Sequence, residues 1–60
     1  MNDDDKCIYL LAVAYRRYDN CNPDVGMGYG DEYFISMALG NMGWDKKKVN
    51  YNLIVAKMAK

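Results

Sequence analysis

Between Asp3 and Asp19, apolar residues return at Cys7, Leu10, Leu11, Ala14 and Tyr18. Spacings of three and four mark one face of an α-helix. Ile8 and Tyr15 flank that stripe, while Lys6, Tyr9, Val13, Arg16 and Arg17 lie away from it. The ends of the segment suit a helix as well. Asn2 or Asp3 is placed to cap the start, Asp4 and Asp5 sit where the helix dipole favours negative charge, and Arg16 and Arg17 sit where it favours positive charge.

Periodicity stops from Asn20 to Gly30, where asparagines, Pro23, Gly26, Gly28 and Gly30 predict a loop longer than most connections. A second, short helix is predicted over 31–41. Asp31 and Glu32 suit its start, Tyr33, Phe34, Met37, Ala38 and Leu39 supply an apolar face, and Gly40 and Gly43 stop it. A third helix is predicted over 44–58 with Asp45 as its N-cap. Its apolar arc is wide. Tyr51, Ile54, Val55 and Met58 form one stripe, Val49, Leu53 and Ala56 another, and the polar strip through Lys46, Asn50, Lys57 and Lys60 is narrow. Such a helix needs either two neighbours in the fold or one neighbour and an external partner. The pattern predicts a compact all-α domain of three helices with a long Gly-rich loop after the first. Its expected core includes Leu11, Ala14, Tyr18, Phe34, Met37, Trp44, Leu53 and Ile54.

Sixty residues allow one domain, and 52% apolar against 27% charged types is a globular rather than a disordered balance. Net charge is zero but unevenly placed. Up to Asp45 eight acidic residues stand against three basic ones, and from Lys46 onward there are five lysines and no acid. Either the two halves neutralise each other in the fold, or the basic tail has an anionic partner. The start lacks the basic region of a secretory signal, and no apolar run reaches the roughly 20 residues of a membrane span. A cytoplasmic protein with two free thiols is expected, Cys7 and Cys21 pairing only if the chain is exported.

Candidate chemistry is sparse. There is no histidine, and Ser36, the one serine, falls in an apolar helix without a base beside it, so no enzyme and no cofactor are expected. Two cysteines without histidine do not complete a tetrahedral zinc site. Gly26-Met27-Gly28-Tyr29-Gly30 lacks the preceding strand and following lysine of a phosphate-binding loop. Asp19, Asn22, Asp24 and Glu32 are oxygen ligands within fourteen residues, which resembles the longer, variant loop of some EF-hand proteins, with Glu32 in place of the final bidentate ligand. That resemblance would imply calcium. Cys21 and Pro23 occupy ligand positions of the standard pattern, so no metal is assigned. Met42-Gly43-Trp44 with Val49 and Leu53 resembles the loop of ubiquitin-associated domains, where a Met-Gly-aromatic turn forms part of the ubiquitin-binding patch. That family has a further helix where this sequence stops, and the resemblance is not carried into the assignment.

Two binding surfaces are expected instead. Tyr9, Ala12 and Val13, on the outer side of the first helix beside Arg16 and Arg17, have the composition of a protein interface, and five methionines add adaptable contact surface. This favours a small non-enzymatic regulator or inhibitor that binds another protein or itself. Its size and character fit the small proteins of phages and mobile elements. Asp3, Asp4 and Asp5 would then face a basic groove of a host nuclease or defence protein as a mimic of nucleic-acid charge. The alternative is a DNA-binding, helix-turn-helix-like regulator. Lys46, Lys47 and Lys48 would occupy the first turn of the third helix, an anion-binding position, assisted by Asn50 and Lys57.

Overall fold

The computed structural model describes residues 1–21 and 29–59. They form three α-helices: α1 (Asp3–Asn20), α2 (Asp31–Met42) and α3 (Tyr51–Met58), with a 3-10 turn at Lys46–Lys48. The all-helical reading therefore holds. Residues 22–28 of the Gly-rich loop, with the potential calcium ligands Asn22 and Asp24, lie outside the described residues.

Each helix is bounded by local chemistry. Asn2 caps α1 by accepting the Asp5 N–H at 2.8 Å, and three aspartates occupy its first turn. At the end of α2, Gly43 takes a left-handed conformation (φ 69°) that side chains resist. Its N–H donates to the Gly40 carbonyl and that of Trp44 to the Leu39 carbonyl, the paired bonds of a Schellman ending. The Met42-Gly43-Trp44 segment thus has a sufficient structural reason.

The third helix differs from expectation. The chain does not run helically from Trp44; Asp45 caps only the 3-10 turn, accepting the Lys47 N–H. Val49 is extended and buried, and Asn50 then caps α3 through Leu53 N–H. Two forces favour the break. Three lysines at a helix start oppose the dipole, and an extended Val49 drops its side chain into the core.

That core is Ile8, Ala12, Phe34, Ile35, Ala38, Leu39, Val49, Ile54 and Met58. Phe34 and Ile54 are buried as expected, Trp44 and Leu11 pack around the margin, and Leu53 is half-buried. Ala14, Tyr18 and Met37 are instead exposed. On α1 the buried line is Asp5, Ile8 and Ala12, turned by about a third of a turn, at 100° per residue, from the expected stripe. The two ends of this inner face explain the rotation. The Asp5 carboxylate accepts the Asn50 N–H at 2.8 Å, fixing the start of α3. Arg16 Nη1 donates to the Met58 carbonyl at 2.7 Å and to Asp31 at 3.1 Å, fixing the end of α3 and the start of α2. α3 therefore runs alongside α1 in the same direction. Asn41 at the far end of α2 donates to the Tyr15 hydroxyl. Neighbouring residues Tyr15 and Arg16 thus reach opposite ends of α2, which lies across α1.

Candidate functional site

The residues expected to form a protein interface on α1 serve mainly to hold the fold. Tyr9 and Val13 are half-buried and pack on the core, and Ala12, expected beside them on the outer side, is fully buried within it. Arg16 binds both α2 and α3 and shields an otherwise open helix-end carbonyl. Arg16→Ala is expected to destabilise the domain by about 1–2 kcal/mol, with partial recovery in Arg16→Lys, read as the urea midpoint. Of the expected set, Arg17 and Asp3 are exposed. The three N-terminal aspartates do not make one anionic face. Asp5 is 4% exposed and bonded inward, and Asp4 meets Lys48 at 3.7 Å. This contact joins the acidic and basic parts of the chain, although a pair so exposed contributes little stability.

The lysines do not surround a helix N-terminus, because their 3-10 turn precedes α3. Lys46 lies 4.1 Å from the centre of the Tyr51 ring and Lys48 4.9 Å from that of Trp44. Cation–ring contacts of this kind hold the ammonium groups close to the surface. Asn50 is used as a cap, and Lys47 and Lys57 are exposed. Burial, and secondarily the charge of Glu32, raise the Tyr51 pKa above its ordinary value. The neutral phenol is thus favoured in the folded state, so this contribution to stability is present below the unfolded tyrosine pKa and is lost as pH rises through the folded one.

Among the described residues, large apolar side chains reach solvent along two strips, and Met1 and Met42 are exposed as well. The outer strip of α2 begins with Tyr29, stacked on Tyr33 at 4.0 Å between ring centres with planes 14° apart, and continues one turn on to Met37. These three are 45%, 44% and 40% exposed. The outer strip of α1 carries Leu10, Ala14 and Tyr18, the residues whose spacing looked most like a core stripe. Regular apolar spacing predicts burial for Ala14, Tyr18 and Met37, yet all three reach solvent.

A shallow open cleft of about 320 Å³ lies beside the α1 strip, lined by Met1, Lys6, Tyr9, Leu10 and Lys57. Both thiols are free. A bond between Cys7 and Cys21 within one chain is excluded, because fourteen residues of α1 and its cap separate them, about 21 Å at helical rise, against the 7 Å or less between Cα atoms that a disulfide spans. Among the described residues no group of histidine, cysteine and carboxylate side chains is arranged to hold a metal ion. None of the described helices is long and apolar enough to cross a membrane. No family model matches the chain, and neither a curated protein nor a solved structure does.

Proposed function

We propose that this protein is a small non-enzymatic regulator that acts by binding another protein, and that the partner docks on the outer strip of α2. The supporting observation is the Tyr29–Tyr33 stack with Met37 beside it. A short chain has little apolar surface to spare, yet it leaves two aromatic rings and a methionine at the surface along one line. Tyrosine supplies a large contact area at low entropic cost, and methionine adapts to the shape opposite it. Glu32, exposed at the head of the strip, suits a partner with a basic rim around an apolar centre.

Inhibition of a nuclease or defence protein, by a protein of phage or mobile-element origin, is one form of such regulation. A version based on charge mimicry would rest on Asp3, since Asp5 is buried and Asp4 is matched by Lys48. The nucleic-acid alternative would use Lys46, Lys47, Lys48, Asn50 and Lys57. It is the weaker reading, because two of the three clustered lysines lie on aromatic rings and Asn50 is occupied as a cap.

The test is affinity capture from host lysate with nuclease present, using the native protein and two variants. Tyr33→Ala/Met37→Ala is expected to weaken a nuclease-resistant partner by about thirtyfold or more while leaving the helical signal unchanged. Lys46→Gln/Lys47→Gln/Lys48→Gln is expected to retain it. A partner that vanishes with nuclease, or with the lysines alone, would transfer the function to the basic turn.

A further inference from the structure

The most regular apolar stripe of the sequence faces solvent on α1, and its spacing shows what fits it. Cys7, Ala14 and Cys21 recur at intervals of seven, with Leu10 and Leu11 in the first interval and Arg17 and Tyr18 in the second. This is the repeat of a seam between two helices. The stripe is also a palindrome by position. Ala14 is the midpoint of Cys7 and Cys21, and equally of Leu10 and Tyr18. Leu10 is 56% and Tyr18 67% exposed, Ala14, Arg17 and Cys21 are exposed, and Cys7 and Leu11 are half-buried.

We propose that a second copy of this chain packs antiparallel on this strip, with the two-fold axis passing between the two Ala14 side chains. An isologous contact needs a surface complementary to itself, and this register supplies one. Leu10 meets the partner's Tyr18, Leu11 meets the methylenes of the partner's Arg17, and Cys7 comes opposite the partner's Cys21. The small Ala14 at the centre lets the helix axes approach to about 8 Å. Near the axis like charges do not meet, because Arg17 faces leucine. A membrane or an unrelated protein would have no use for a palindromic spacing. α1 is about 27 Å long at helical rise, so one helix pair buries less than the roughly 800 Å² per partner of a standard interface. The dimer is therefore reversible and concentration-dependent. It uses none of the residues of the α2 strip, so the pair would present two α2 strips at once.

Thiol cross-linking of the full chain tests the register. Diamide takes two electrons and two protons from two thiols, becoming a hydrazine and leaving one disulfide. The native protein is expected to give a covalent dimer with two Cys7–Cys21 bonds. The variants Cys7→Ser and Cys21→Ser cross-link poorly alone, because like cysteines lie about 21 Å apart in this register. Mixed together, they form a one-disulfide heterodimer at least about tenfold faster than either forms a homodimer, since pairing raises the effective thiol concentration. Ala14→Glu, at an exposed site, is expected to keep the helical signal and abolish both the cross-link and the concentration-dependent dimer in sedimentation. Equal cross-linking of the single variants with themselves would overturn the proposal. So would a monomer at every concentration, or a monomer that binds anionic phospholipid vesicles through this strip.

Discussion

Ile54→Ala is expected to leave the protein largely unfolded at room temperature. The side chain is fully buried where α3 meets the other two helices, in a core to which nine of the described residues belong. Truncating a buried isoleucine removes its transfer free energy and leaves a cavity that neighbours fill only in part, at a cost of about 2–5 kcal/mol. A chain of this length has little more than that in total, about 3–5 kcal/mol. Urea titration followed by circular dichroism measures the effect. The control is Met37→Ala, in the neighbouring helix but 40% exposed, which is expected to change stability by less than about 1 kcal/mol. Equal losses in the two variants would mean that α2 is turned to bury Met37.

The second large effect is expected at Asp5. A carboxylate 4% exposed is costly to bury unless it is well bonded, and here it accepts the Asn50 N–H at 2.8 Å. Asp5→Ala leaves that donor unsatisfied and detaches the start of α3, at about 2–3 kcal/mol. Asp5→Asn retains an oxygen acceptor and is expected to recover part of the loss. Asp4→Ala, which removes the exposed pair with Lys48 and one first-turn negative charge, is expected to cost about 1 kcal/mol or less. In urea the Asp5→Ala midpoint should fall by about 2 M, given a slope near 1 kcal/mol per M for so small a domain. A midpoint as little changed as that of Asp4→Ala would show that Asp5 does not hold α3.

The contrast between adjacent aspartates shows how far the sequence could be read. Helix α2 was legible nearly to the residue, because acids mark its start and a glycine that must turn left-handed marks its end. The existence of α1 was equally plain, but its facing was not. Its inner line begins with Asp5 and ends with Arg16, and charged residues count as surface until their distant partners are known. Those partners, Asn50 and Met58, lie too far along the chain for any local pattern to reveal. Helix α3 was predicted too long because apolar spacing continues through Val49, where the backbone is extended. The candidate surface was hidden for the same reason as the facing of α1. Tyr33 and Met37 share an apolar helix with Phe34 and Ala38, and only packing across α1 selects which pair is covered.

The attachment of α3 at both ends also bears on how the chain reaches its native state. Eight residues are too few to hold a helix in water without tertiary contacts. The bonds that fix this one join residues 45 and 42 positions apart. Loops of that length close slowly relative to helix growth. Before α3 docks, α1 and α2 can meet through Ile8, Ala12, Ile35 and Ala38. That pair nevertheless carries an open apolar trough until residues 51–58 dock and Arg16 and Asp5 capture their two ends. That interval is when the molecule is most exposed to proteases and to aggregation.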